Sequence, residues 1–172
     1  ATGAIAGHPD FENGTPVYLD LGIVNPNSGT DKKPIYAGQP ITPTTTGAAN
    51  FNQWYKDVSS VNRSKLFAFY VEKGISSSPN VFTYVEDNFF PIDGLLIGNG
   101  ENPHNYHFTF EVHDNFIYRG GEVLSYYADD DLWVFINDKL AVNLGGIHPA
   151  DEVSATINLD QLAGSLGLTK GK

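Results

Sequence analysis

At 172 residues the chain has the length of a single domain, 1–172, able to bury a core of its own. Twenty acidic against ten basic residues give a formal charge of −10, which repels phosphate backbones and sets nucleic acid aside as a partner, while cations, neutral sugars or plain solubility all suit such a surface. The absence of cysteine excludes disulfides and thiolate metal sites, and no run approaches the roughly 18 apolar residues of a membrane span, so no membrane insertion is expected.

From Ala1 to Gly47 the chain is rich in Gly, Pro, Thr and Asn. Its opening, ATGAIAG, reads as a processed start with no export signal in it. One alternating stretch, Val17 to Leu21, predicts a short strand, and the proline-bearing run Gln39 to Thr46 predicts a loop or an edge. Asn50 reads as the N-cap of a short helix that lays Phe51 and Trp54 on the core. Leu66 to Val71 is a continuous apolar run and predicts a buried strand, and Val81 to Val85 predicts a shorter one. Tyr106 to His113 alternates most cleanly, with Tyr106, Phe108, Phe110 and Val112 on an expected core face. Strands at Glu122 to Ala128 and Leu132 to Ile136 follow. Asn137-Asp138 is a tight-turn signal leading into a return through Leu140 to Leu144. Ser154 to Leu159 alternates again, and Asp160 is the expected cap of a helical turn through Leu166. Many short strands separated by turn residues predict an all-β chain, an antiparallel β-sandwich with one or two short helices.

Asp129-Asp130-Asp131 stands directly against the most hydrophobic strand of the chain. Like charges that close raise one another's pKa unless something positive neutralises them, and Lys139 is the only basic residue nearby in sequence. A hard cation answers that need, since calcium takes six to eight oxygens from carboxylates, carbonyls and water. An acidic, solvated turn is the other reading of the same residues. Asn143, Gly145, Gly146 and His148 follow the hairpin and are tentative ligand-binding residues beside the Asp pair, although Gly-Gly also reads simply as a turn. His107, Glu111 and His113 share one strand face, but same-face neighbours on one strand rarely converge on a metal, so zinc is the weaker reading there. Trp54 and Trp133 read as core residues rather than sugar platforms, and Asp93 as a turn residue.

Six ordered segments carry a resemblance: His8-Pro9-Asp10-Phe11-Glu12, Phe89-Phe90-Pro91-Ile92-Asp93-Gly94, Asn105 to Glu111, Asp129 to Asn137, Leu144-Gly145-Gly146-Ile147-His148-Pro149, and Leu159-Asp160-Gln161-Leu162-Ala163. In this order they resemble the fibro-slime domain, a branch of the protective-antigen-insert type of lectin β-sandwich shared by flocculins and adhesins. The resemblance implies a calcium-binding Asp-Asp pair joined by a cis peptide, with the metal binding vicinal sugar hydroxyls. Residue by residue, the pair falls on Asp129 and Asp130, with Asp131 a neighbour rather than a ligand. Fibro-slime domains continue beyond the Leu168 to Gly171 position into a further strand and loop, whereas this chain ends at Lys172. The resemblance therefore implies that the remainder of the domain, as a separate C-terminal fragment, is a possible partner.

The function expected from this reading is calcium-dependent carbohydrate binding by a secreted module of an extracellular adhesin or polysaccharide-sensing cell-surface protein. Its partner would be a glycan or polysaccharide, its cofactor calcium, and it would not be an enzyme. A structural or protein-interaction module rigidified by calcium is the alternative. A glycosidase is disfavoured, because it needs two carboxyl groups about 5 to 9 Å apart across the scissile bond, which adjacent acids do not provide.

Overall fold

The computed structural model describes residues 7–11, 19–68, 70–74, 80–148 and 153–172. Its elements are α1 (Ala48–Phe51), β1 (Glu72–Lys73), β2 (Phe82–Thr83), β3 (Val123–Tyr127), β4 (Leu132–Ile136), β5 (Lys139–Leu144), β6 (Ser154–Asn158) and α2 (Leu159–Leu166). The pairs β1-β2, β3-β6 and β4-β5 are all antiparallel. The regular structure of the described residues is thus mostly strand, with two short helices. Contacts divide the chain into two units, one centred on Asp57–Phe108 and the other made of Gly7–Lys56 with Thr109–Lys172.

In the second unit, Asn137 and Asp138 both adopt left-handed φ values, 49° and 65°, as a two-residue hairpin turn between twisted strands requires. β4 reads as unbroken apolar sequence because both its faces are covered. Trp133 and Phe135 pack against Ile23, Val24, Tyr36, Phe51 and Trp54, while Leu132, Val134 and Ile136 pack toward β6 and α2. The register pairs Val134 with Val142 but Phe135 with Leu140, so Ala141 is an extra residue in β5. That bulge turns Leu140 to the aromatic cluster and leaves Val142 and Leu144 on the opposite face. α2 begins where the β6 alternation ends. The Asn158 side chain accepts from the Asp160 N–H, and Gly167 closes the helix in the left-handed region.

In the first unit, Asp93 is the centre of a knitted loop. Its carboxylate accepts from the Asn105 N–H at 2.6 Å and pairs with His104 Nδ1 at 2.5 Å, and the His104 ring stacks on Phe90 at 4.1 Å. Leu96 in this loop is left-handed at φ 55°, a conformation that costs a residue with a Cβ about 1–2 kcal/mol. Leu96→Asn relieves part of that cost without adding backbone freedom to the unfolded chain. It should raise stability by about 1 kcal/mol in urea denaturation, and a loss of stability would contradict the assignment.

Several sequence expectations are corrected. Leu66 to Val71 is not a buried strand: Leu66 is 97 % exposed, the segment joins no ladder among the described residues, and Phe69 lies outside them. Tyr106 to His113 also joins no ladder, and Tyr106, Phe110 and Val112 are exposed. Alternation gives a segment two faces, but a ladder needs a second strand in register, which the pattern cannot supply. α1 starts at Ala48, with Gly47 rather than Asn50 at the cap position, although Phe51 and Trp54 are buried as expected. Asn158, not Asp160, caps α2. The expected Val17 to Leu21 strand lies partly outside the described residues, and its described part forms no ladder.

Candidate functional site

Antiparallel pairing sets the start of β4 beside the end of β5, so the acids that precede Leu132 meet the loop that follows Leu144. Main-chain donors of that loop take up two carboxylates. The Gly146 N–H donates to Asp131 Oδ1 at 2.7 Å and the His148 N–H to Asp130 Oδ1 at 3.2 Å. Gly146 sits at φ 131°, where a side chain would be strained. A Cβ on Gly145 would lie 2.8 Å from the Asp20 carbonyl oxygen, so glycine permits the close approach there.

The tentative ligand residues therefore divide. Gly146 and His148 contact the acids directly. The Asn143 side chain is engaged elsewhere: its Oδ1 accepts from Trp133 Nε1 at 3.0 Å and from the Gly145 N–H, and its Nδ2 donates to the Leu21 carbonyl. Gly145 is tied back through its carbonyl, which accepts from the Asp20 N–H at 2.6 Å. His148 is 3 % exposed. Its Nε2 faces the Leu144 carbonyl at 3.3 Å, and its buried Nδ1 has no hydrogen-bond partner among the described residues.

No Lys or Arg pairs with Asp129 or Asp130 among the described residues. Burial, and then the charge of Asp129, raise the Asp130 carboxyl above its ordinary range against the pull of the His148 N–H and of the His148 ring. Asp131 is pushed up to about 7, chiefly by burial, with the charges of Asp130, Asp20 and Asp10 adding to it and the Gly146 N–H opposing. Tyr55 is raised as well, by burial and then by the charges of Asp131 and Glu111.

Asp10 and Asp20 thus belong to the same field of negative charge, which sequence reading did not assign to the site. Both are buried. Asp10 accepts from the Thr46 N–H, the Thr46 hydroxyl and Trp54 Nε1, and Asp20 from the Thr44 N–H and hydroxyl. The signal was the Thr42 to Thr46 run, whose hydroxyls and amides are the donors that buried acids need. The Asp129-Asp130 peptide bond is not cis, in correction of the resemblance. The chain turns instead through Asp130 at φ 58°, a region Asp tolerates better than most residues. The weaker zinc grouping is not assembled: Glu111 is engaged by Lys33 Nζ at 2.7 Å and by His113 Nε2.

The Asp131 shift carries a pH dependence. Its folded value of about 7 lies above the unfolded value near 3.9, so the folded chain holds a proton that the unfolded chain releases in between. The resulting stabilisation is complete below about pH 4 and is lost as pH rises through about 7. In chelator, the wild type should lose up to about 1.4 kcal/mol per pH unit across that window relative to Asp131→Asn. Parallel urea-denaturation profiles for the two proteins would contradict this.

The fold and site define a mostly-β chain carrying, at a hairpin end, an acidic pair with no Lys or Arg partner among the described residues. Among known proteins it is similar to several from Dictyostelium discoideum. It is 35 % identical to protein psiQ over 94 % of this chain, 35 % identical to protein psiR over 96 %, and 36 % identical to protein psiJ over 96 %. The chain spans 17 % of the length of psiQ and of psiR and 26 % of psiJ. No family model matches the chain, and no solved structure matches it.

Proposed function

We propose that the chain is a calcium-dependent carbohydrate-binding module, of the fibro-slime and lectin type, in an extracellular adhesin or polysaccharide-sensing surface protein. Its full architecture on this reading is an antiparallel β-sandwich. The observation that carries the reading is the Asp129-Asp130 pair, which has no Lys or Arg partner among the described residues while Asp130 is held above its ordinary range. The donor chemistry fits a hard cation, because carboxylate oxygens are what calcium takes. Asp129 and Asp130 would hold it, and calcium there would supply open coordination positions for neighbouring sugar hydroxyls. No cluster of three acidic or His side chains suited to one ion occurs among the described residues, so further oxygens would come from main chain, water or sugar.

The protein's own residues prepare the place. The His148 N–H fixes one oxygen of Asp130, and the Gly146 N–H draws Asp131 inward, away from the pair's role. Calcium should therefore be required for glycan binding. A monosaccharide should bind with a dissociation constant on the order of millimolar, about −4 kcal/mol, and adhesion should come from many copies on one surface.

A second reading has its own observation. Phe110, Val112, Phe116 and Ile117 are exposed in a stretch without a ladder among the described residues, which suits a module completed by a strand from another segment or chain. Calcium binding without any chelator-sensitive glycan signal would select it.

A further inference from the structure

A second site lies in the unit centred on Asp57–Phe108 and shares no residue with the acidic pair. Phe67, Tyr70, Glu72, Thr83, Tyr84 and Val85 line a cleft of about 410 Å³, within the range of small-molecule sites. Phe67 and Tyr84 both stand edge-on to Phe89, with ring centroids at 5.9 and 6.2 Å, and Phe89 rests in turn on Phe108 at 6.0 Å. These rings are therefore braced from behind. Tyr70 is 82 % exposed, which leaves most of a large aromatic ring in water.

Glu72 and Thr83 are direct cross-strand partners in the β1-β2 ladder, which puts their side chains next to one another. No ion pair or hydrogen bond engages the Glu72 side chain among the described residues. The cleft thus offers aromatic faces beside an acceptor-only carboxylate and a hydroxyl that can donate or accept. We infer that this cleft binds a neutral saccharide of one or two rings without calcium, its C–H face on Tyr70 and its hydroxyls on Glu72 and Thr83.

The chemistry disfavours the other occupants. An anionic sugar or phosphate meets Glu72 and a chain of charge −10. A purely apolar ligand would desolvate Glu72 with no hydrogen bond in return. A quaternary ammonium group would satisfy the carboxylate and rings but would leave much of the cleft unfilled.

The test is titration calorimetry in chelator with cellotetraose, laminaritetraose, chitotetraose and mannotetraose, and with choline as the cationic control. At least one saccharide should bind, Tyr70→Ala and Glu72→Gln should each weaken it at least tenfold, and Asp129→Ala/Asp130→Ala should leave it unchanged. Tyr70 is exposed enough that its removal should leave the melting temperature intact. The inference is overturned if none of the four saccharides binds, if binding ignores both cleft variants, or if choline alone binds. Because chelator silences the calcium site, failure here is distinct from failure of the calcium-dependent reading.

Discussion

Asp129→Ala/Asp130→Ala should abolish calcium binding measured by calorimetry, while the wild type binds one ion. Two adjacent carboxylates beside an apolar strand, with no Lys or Arg partner among the described residues, are a standing electrostatic cost that a divalent cation removes. The loss of binding should not come from unfolding. The β4-β5 ladder does not depend on either side chain, so the variant should fold, with a modest cost in stability from the lost His148 N–H bond and from Ala in the left-handed conformation of residue 130. Asp131→Asn is the matching control: its Oδ1 is taken by the Gly146 N–H, and calcium binding should persist. Unchanged affinity in the double variant would remove the assignment.

The second large effect is on stability. Asp10→Ala deletes the acceptor for three donors at once, the Thr46 N–H at 2.7 Å, the Thr46 hydroxyl, and Trp54 Nε1 at 2.9 Å. Asp10 and Trp54 are buried, so water does not readily replace the indole bond, whereas the exposed Thr46 can turn part of its bonding to water. A buried donor left without a partner costs about 1–3 kcal/mol, and bonds to a charged acceptor lie at the upper end. Relief of the repulsion on Asp131 offsets a part. A net loss of about 3 kcal/mol is expected, which for a chain of this size lowers the melting temperature by roughly 10 °C. Asp10→Asn keeps one acceptor oxygen and should lose about half as much. A melting temperature within a degree or so of wild type for Asp10→Ala would show that the network does not hold the aromatic cluster in place.

How far the sequence revealed these features depends on whether the signal was local. The β4-β5 hairpin was legible because a two-residue turn of Asn137-Asp138 and the flanking apolar runs define strand, turn and strand within thirteen residues. The position of Gly146 and His148 beside the acids follows from that hairpin alone. Tyr106 to His113 carried the strongest alternation and still joins no described ladder, since pairing depends on a partner far away in sequence. The apolar run Leu66 to Val71 looked like core for the same reason, and its exposure reflects which surfaces reach it rather than its own composition. Asp10 and Asp20 escaped notice because their neighbours in space, Thr44, Thr46 and Trp54, are between 24 and 44 residues away in the chain.

The most direct test of the central claim is a glycan array probed with the wild type in calcium, the wild type in chelator, and Asp129→Ala/Asp130→Ala in calcium. The account predicts signal on sugars with vicinal hydroxyls in the first condition and a loss of that signal in the other two. Calcium binding by the wild type together with an array signal that is absent, or that is the same in all three conditions, would contradict it.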